Sequence, residues 1–341
     1  MQSSPQKKRL SNMELLRIIS MFCVLIVHSD FGALNTPTKE ELTLSPIYCI
    51  IRTFLEAFAL VAVNVFVLLS GWFSITFKWK GICNLLFQCF FFTFGIYAVC
   101  ILAGIDKFSM YGIRKCLMLS ENLWFVKCYL GLYILAPALN IFIEKANKKT
   151  IQQVLLCFFI FQSIYDWIAH STPFIAQGYS SFSFIGLYLL ARYIRIYTPK
   201  WSNLTAKWDL FMYLFFSIGT AIAMLTFVYL DKFAQFARFM DYSSPLIIAA
   251  ALFLLLYFSK FQFQSHSINW IAASCFAVYL QHFILFPQIM HHWIIDIAHS
   301  HSGISIVFYI SGLLILFYTT AILVDKVRLY IWNKILATKF K

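Results

Sequence analysis

Glu14-Leu-Leu-Arg-Ile-Ile-Ser-Met-Phe-Cys-Val-Leu-Ile-Val-His-Ser29 is the stretch that decides the fold. Besides apolar and small residues it contains only Glu14, Arg17 and His28, as expected of a membrane-spanning helix. Arg17 and His28 are eleven residues apart, so at ~100° per residue both project from one face, roughly 16 Å apart along the axis. A membrane helix keeps such side chains on one face where a partner or a water-filled cavity offsets their cost. The spacing alone leaves open an arginine that extends to the interface and a histidine hydrogen-bonded within the bundle.

The composition extends this interpretation to the whole chain. Of its 341 residues, 61% are hydrophobic and only 12% are charged, which is more apolar surface than a soluble domain of this size can bury. We therefore predict an all-α, polytopic transmembrane helix bundle, multi-pass in the cell (cytoplasmic or inner) membrane, with the lipid bilayer as its surroundings. We expect a single integral-membrane domain over residues 1–341, with its core at about 10–330.

Apolar segments of ~20 residues predict ten spans. A short helix at 46–54 is expected to lead into the second span, and the sixth and eighth spans are short. The predicted spans are 14–34, 55–77, 82–104, 122–143, 150–170, 182–198, 209–230, 245–261, 269–288 and 303–325.

The net charge of +13 does not indicate nucleic acid, because the basic residues lie in short clusters between apolar spans. If residue 1 is cytoplasmic, 18 Lys and Arg residues fall on the cytoplasmic side and 6 on the opposite side. The positive-inside rule then places both termini in the cytoplasm, with Arg17 at the cytoplasmic end of the first helix and His28 nearer the outer face. The 18 are Lys7, Lys8, Arg9, Lys78, Lys80, Lys145, Lys148, Lys149, Arg192, Arg195, Lys200, Lys207, Lys260, Lys326, Arg328, Lys334, Lys339 and Lys341.

Cysteine and histidine residues, which can bind metals, have explanations in this sequence that do not involve a metal site. The nine cysteines lie mostly inside apolar spans without C-x-x-C spacing, which is typical of small apolar packing residues. The tract from His291 to His301 could place His292, Asp296 and His299 on one helical face, as in a metal site. A polar outer loop is the interpretation we adopt for this tract.

Other segments place polar side chains within or beside the spans. Asn64 and Gly71 share a face of the second span, where a small-residue packing contact is the alternative to a binding role. Arg192 and Arg195 end the sixth span, where they could simply anchor to anionic lipid. The remaining candidates are Ser70 in the second span, Lys78 and Lys80 after it, Trp124, Lys127 and Tyr129 in the fourth span, and Tyr279 and His282 in the ninth.

Six motifs follow one another over nearly the whole chain: Glu14-Leu-Leu-Arg17…His28, Asn64-Val-Phe-Val-Leu-Leu-Ser-Gly71, Leu123-Trp-Phe…Tyr129-Leu-Gly-Leu-Tyr133…Pro137, Leu187-Tyr-Leu-Leu-Ala-Arg-Tyr-Ile-Arg195, Tyr242-Ser-Ser-Pro245 and Phe276-Ala-Val-Tyr-Leu-Gln-His282. In this order they resemble the integral-membrane acyltransferases of the acyltransferase 3 family. One departure is that the family often has an arginine after the Ser-Gly segment, where this chain has Lys78 and Lys80. Lysine binds phosphate as a point charge rather than as a two-pronged fork.

The resemblance implies transfer of an acyl group, usually acetyl, from acyl-CoA to a hydroxyl of a cell-surface carbohydrate or lipid-linked glycan. Acyl-CoA is then a donor substrate, and neither a tightly bound cofactor nor a metal is implied. His28 would act as the general base or hold a covalent acyl group. The expected CoA-binding residues are Arg17, Lys78, Lys80, Arg192 and Arg195, and the expected substrate-binding residues are Glu14, Asn64, Ser70, Trp124, Tyr129, Tyr279 and His282.

Two other functions are compatible with a bundle of this kind. A glycolipid or polysaccharide transporter or flippase would also have about ten spans and buried charges. The sequence shows no inverted repeat and no pair of glycine- or proline-broken helices, which argues mildly against this function. A structural membrane subunit is the third possibility.

Overall fold

The computed structural model describes residues 9–119, 123–170, 172–285, 289–301 and 304–336, and these ranges contain helices and no strand. The predicted all-α class is confirmed. In chain order the helices are α1 (Ser11–Ser29), α2 (Phe31–Leu34), α3 (Lys39–Leu44), α4 (Pro46–Ala59), α5 (Ala62–Phe73), α6 (Trp79–Leu102), α7 (Met110–Cys116), α8 (Trp124–Lys145), α9 (Lys148–Ile160), α10 (Trp167–Ala169), α11 (Ser181–Tyr197), α12 (Ala206–Tyr229), α13 (Phe233–Arg238), α14 (Pro245–Ser259), α15 (His266–Ala272), α16 (Cys275–Leu285), α17 (His291–Ser300) and α18 (Ile304–Ile331).

Eight helical segments in the described part of the chain are long and apolar enough to cross a membrane. The predicted sixth and eighth spans correspond to α11 and α14, which have only 17 and 15 residues. Both short helices lie inside the bundle, because α11 packs against α5 and α8 while α14 packs against α12 and α5. The eight segments are Ser11–Leu34, Pro46–Phe73, Trp79–Leu102, Trp124–Lys145, Lys148–Ala169, Ala206–Tyr229, His266–Leu285 and Ser305–Lys334.

Helix α1 contributes to both of the larger hydrophobic clusters of the bundle. Near its start, Met13 and Leu16 pack with α5, α8, α11 and α14. Further along, Met21, Val24 and Leu25 pack with α6, α16 and α18. The first helix therefore passes between two halves of the core. Its inward face, which carries Arg17 and His28, lies where these two halves meet.

A glycine allows α5 and α11 to approach closely. A Cβ atom built on Gly71 would collide with the backbone carbonyl of Tyr188 and lie 2.9 Å from the Cβ of Ala191. Small residues of this kind are the usual means by which membrane helices come into backbone contact. The small-residue packing contact considered for Gly71 is thus present in the structure.

The second span differs in detail from the sequence prediction. The short helix expected at 46–54 is not separate, since α4 runs without interruption from Pro46 to Ala59. The break lies later, at Leu60 and Val61, after which α5 begins. The apolar pattern continues through α4 and α5, and no polar residue in the sequence marks the position of the break.

The last helix is longer than the predicted segment 303–325, because its charged residues form partners inside the bundle. Asp325 accepts hydrogen bonds from Arg328 Nε at 2.6 Å and from Gln88 Nε2 at 2.9 Å, and Arg328 Nη1 donates to Asn84 Oδ1 at 2.8 Å. The prediction that the span ends at residue 325 and that Arg328 lies in the loop after it is therefore wrong, since Arg328 belongs to α18 and its side chain is fully buried. A charged pair that is hydrogen-bonded internally does not have to leave the membrane interior.

The histidine-rich tract is also more ordered than predicted. Residues His291–Ser300 form α17 instead of a polar loop, with Ile294 fully buried and with contacts to α2 and α18. The ring of His301 lies 3.9 Å from that of Tyr309. Within the described residues, no group of three or more His, Cys, Asp or Glu side chains is placed to hold a metal ion.

We expect both termini to be cytoplasmic and residues 289–302 to face outside, because of the Lys and Arg distribution; Ser302 itself lies outside the described residues. In a cysteine-free variant, a cysteine at Ser300 should react with a membrane-impermeant maleimide added to intact cells. A cysteine at Lys148, at the start of α9, should react only after the membrane is opened. Labelling of Lys148→Cys but not of Ser300→Cys in intact cells would reverse the orientation.

Candidate active site

A cavity of about 410 Å³ follows the inward face of α1. Arg9 and Arg17 line one end of it, and His28 lines it three turns further along. Arg17 and His28 therefore share one cavity, as their eleven-residue spacing predicts. The walls come from α5, α6, α8, α15 and α16, so the cavity is enclosed by helices from the whole length of the chain.

The Arg9 and Arg17 end of the cavity is basic. Arg17 Nη1 donates to Glu14 Oε2 at 2.5 Å, one helical turn earlier, and Arg9 Nη1 donates to the carbonyl oxygen of Asn269 at 3.2 Å. One carboxylate thus accompanies two guanidinium groups, which leaves this mouth suited to an anionic ligand. Arg9 was not among the predicted site residues, and its only signal was its position in the basic cluster before α1.

Two histidine rings meet in the bundle. The ring centroids of His28 and His282 are 4.9 Å apart, with the planes at 52°. Nδ1 of His282 lies 2.9 Å from the carbonyl oxygen of Val278. Because a carbonyl only accepts, Nδ1 must carry the proton, and Nε2 of the neutral ring keeps its lone pair.

The two histidines differ in their access to the cavity. His282 is 1% exposed and is not part of the cavity lining, whereas His28 is half-buried and lines it. A ligand in the cavity therefore reaches His28, and His282 stands behind it. The sequence offered these two side chains as rivals for one role, and the structure places them together.

Most of the predicted substrate-binding residues line the same cavity, namely Ser70, Trp124, Tyr129 and Tyr279. Ser70 Oγ donates to the carbonyl oxygen of Phe66 at 2.9 Å and lies 3.4 Å from the Tyr129 hydroxyl. These contacts fix two hydroxyl groups in the wall between the Arg17 end and the aromatic end.

Asn64 and Glu14 have other surroundings. Asn64 is buried outside the cavity, where its Nδ2 donates to the carbonyl oxygen of Tyr242 at 3.0 Å. Asn64 therefore holds the segment that carries Tyr242 instead of touching the cavity directly. Glu14 is the partner of Arg17 and is also absent from the lining.

Three aromatic rings close the far end of the cavity. The ring of Tyr179 lies 4.5 Å from that of Trp124 and 4.9 Å from that of Tyr242. Burial, with the nearby Asp241 carboxylate, raises the pKa of Tyr179 to about 12. Its hydroxyl therefore stays protonated and able to donate a hydrogen bond. Tyr179 follows a turn that the sequence did not single out, so it was missed.

The other predicted CoA-binding residues lie outside the cavity lining. Lys78 and Lys80 are exposed around the start of α6, while Arg192 and Arg195 lie near the end of α11. The guanidinium of Arg195 stacks on the ring of Trp72 at 4.8 Å. Because successive spans alternate in direction, all four lie on the same side of the bundle as Arg17.

Comparison with known families gives a match over nearly the whole chain. The acyltransferase 3 family, described as "Acyltransferase domain", matches residues 10–325. No curated protein and no solved structure matches the chain.

Proposed function

Because the chain belongs to the acyltransferase 3 family, we propose that it transfers an acyl group, with acetyl as the expected group, from acyl-CoA to a hydroxyl of a cell-surface carbohydrate or lipid-linked glycan. Its place would be the cytoplasmic (inner) membrane. The family match supports the acyltransferase activity, and the chemistry of the cavity supports the donor and the acceptor.

The observation that carries the proposal is the single cavity that joins Arg9 and Arg17 to His28. Coenzyme A combines a phosphate-rich end with a long thin arm that carries the thioester. The two guanidinium groups at the mouth would bind the phosphates, for which arginine is well suited. The arm would then follow α1 for roughly 16 Å and present the thioester beside His28.

The transfer can proceed through His28 without another reactant. His28 would take the proton of the acceptor hydroxyl while the oxygen of that hydroxyl attacks the carbonyl carbon of the thioester. The new carbon–oxygen bond forms, the carbon–sulfur bond breaks, and the thiolate of CoA takes the proton back from His28. His282 would position the His28 ring, because the two rings are in contact and the Nδ1 of His282 is fixed by Val278.

A direct assay tests the activity. Purified protein would be incubated with acetyl-CoA carrying a radiolabelled acetyl group, and the fate of the label would be followed. An acyltransferase transfers or hydrolyses the acetyl group, whereas a transporter or flippase leaves acetyl-CoA intact. Intact acetyl-CoA after prolonged incubation with folded protein and membrane glycan would contradict the proposal.

Arg17→Ala should raise the KM for acyl-CoA by roughly 10- to 100-fold, because a hydrogen bond to a charged phosphate is lost. The KM for the acceptor should change little. Arg17→Lys should recover only part of the loss, since a point charge replaces a fork. Arg192→Ala should act in the same direction.

Lys149→Ala provides the matched control for these variants. Lys149 is an exposed basic residue at the start of α9, on the same side of the bundle, and unlike Arg17 and Arg192 it is not among the predicted CoA-binding residues. Lys149→Ala removes one positive charge, as each arginine variant does, and it should leave the KM for acyl-CoA unchanged. An unchanged donor KM in both arginine variants would remove those residues from the donor site.

A further inference from the structure

His28 also lines a second cavity, of about 690 Å³. This cavity is walled by the C-terminal half of α6, the connection that follows it, α7, and Phe283 and Ile284 of α16. Among the residues that line the two cavities, His28 is the one that they share. A side chain that acts on a donor in one cavity and on an acceptor in the other would lie in the wall that both cavities share.

We propose that the second cavity is the acceptor site, that it opens on the side of the membrane opposite to the donor mouth, and that it takes an uncharged sugar ring. This inference rests on the proposed acyl transfer. It assigns to each cavity one of the two substrates, with His28 at their junction.

The direction of the helices separates the two openings. Helix α1 leads from Arg17 to His28, the span formed by α4 and α5 returns, and α6 crosses again in the direction of α1. The end of α6 and the following α7 therefore lie on the side of the bundle where α1 ends. Most residues that line the second cavity belong to this part of the chain, and neither Arg9 nor Arg17 is among them. By the Lys and Arg distribution the side where α1 ends is the outer side.

The wall of the second cavity is held in place by Tyr97. The Tyr97 hydroxyl accepts a hydrogen bond from the backbone N–H of Ser109 at 2.8 Å and donates to the carbonyl oxygen of Lys107 at 3.2 Å. Glycine is needed where α7 passes over this ring, because a Cβ on Gly112 would collide with it. The segment 105–116 is thus fastened to α6 as a fixed wall.

The chemistry of this wall differs from that of the donor mouth. It carries one carboxylate, Asp106, and one ammonium group, Lys115, so the charges offset each other. It also carries the hydroxyls of Ser109 and Tyr111. Paired donors and acceptors without net charge suit a neutral polyhydroxylated ring and do not suit a polyphosphate.

Tyr111 adds an exposed aromatic face to this set. The side chain is 62% exposed, and the Lys115 ammonium lies 4.5 Å from the centroid of its ring. An aromatic ring of this kind can cover the apolar face of a sugar while the neighbouring polar groups bind its hydroxyls. Tyr111 is therefore the side chain through which the site can be blocked from outside.

The test uses right-side-out membrane vesicles loaded with acetyl-CoA that carries a radiolabelled acetyl group. Incorporation into the endogenous envelope glycan is the measurement. In a cysteine-free variant, Tyr111→Cys would be modified from outside with a bulky membrane-impermeant maleimide. Incorporation should then fall to the background of vesicles that lack the protein.

Phe108→Cys is the matched control, since Phe108 is 70% exposed in the same connection and does not line the cavity. Its modification should leave incorporation unchanged. Binding of acetyl-CoA to the purified protein should be unchanged in both modified variants, because the donor uses the other cavity. Lys115→Met and Asp106→Asn should lower incorporation by roughly 2- to 10-fold through lost hydrogen bonds, with acetyl-CoA binding retained.

Two outcomes separate the acceptor assignment from the proposed activity. Equal incorporation by the modified Tyr111→Cys and Phe108→Cys proteins would show that the acceptor does not use the second cavity, while the transferase activity would stand. If vesicles with the unmodified protein incorporate no acetyl group and the purified protein does not bind acetyl-CoA, the proposed activity fails, and the acceptor assignment fails with it.

Discussion

His28→Ala should lower acyl transfer by roughly 10²–10⁴-fold, which is the usual contribution of a positioned general base. His28 lines the cavity that Arg17 also lines, which we propose as the donor site, and it lines the second cavity as well. Alanine cannot take the proton of the acceptor hydroxyl, so the attack would depend on the unassisted alcohol. The variant should insert into the membrane and bind acetyl-CoA with nearly unchanged affinity, since the Arg17 end of the cavity is intact. Single-turnover transfer and acetyl-CoA binding, measured at equal protein level, check both parts.

His282→Ala is the decisive comparison for this prediction. The His282 ring is buried behind His28 and touches neither of the two cavities. Its loss should therefore cost less than the loss of His28 and should act by releasing the His28 ring. If His28→Ala retains near-normal transfer while His282→Ala abolishes it, the base is His282 and the site must be rebuilt around α16.

Arg52→Ala should lower the free energy of unfolding by roughly 3–5 kcal/mol, which is the usual cost of leaving a buried charge without its partner. Arg52 Nε donates to Asp30 Oδ1 at 2.6 Å, and its Nη2 donates to the carbonyl oxygen of Asn35 at 2.5 Å. Glu56 lies one turn further along α4 and is fully buried. Without the guanidinium, two buried carboxyl groups would remain with no cation. The midpoint of thermal unfolding in detergent is the measurement.

Two further variants decide whether the loss arises from this buried cluster. Arg114→Ala removes an exposed arginine on the same side of the bundle and should shift the midpoint little. Arg52→Met combined with Asp30→Asn should recover part of the loss, since the unpaired charge on Asp30 is then absent. Equal midpoints for Arg52→Ala and Arg114→Ala would show that the cluster contributes no stability.

The Arg52 cluster also stabilises the geometry of the site. The chain leaves α1 at Ser29, one residue after His28, and Asp30 is held by Arg52 at the turn into α2. The position of the His28 imidazole, which we propose as the base, therefore depends on an ion pair between two spans. Both Asp30 and Arg52 are visible in the sequence, but nothing in their spacing indicates that they meet.

The sequence by itself determined the fold class and the relation between Arg17 and His28. An apolar composition and long uncharged segments require helices in a membrane, because every backbone polar group must be satisfied within its own segment. Helical periodicity then places residues eleven apart on one face, whatever surrounds the helix. The order of short motifs indicated the family in a similar way, since four of the six motifs lie wholly within one helix, while Leu123 precedes α8 and Tyr242 to Ser244 form the turn before α14.

Only the tertiary structure decided which of these faces meet. It brought His282 against His28, Arg9 beside Arg17, and Asp325 and Arg328 into contact with Asn84 and Gln88, and it opened a second cavity at His28. The physical reason is that the period of a helix is a local property of the backbone. The partner, register and crossing angle of two helices depend instead on how the side chains of both surfaces interdigitate.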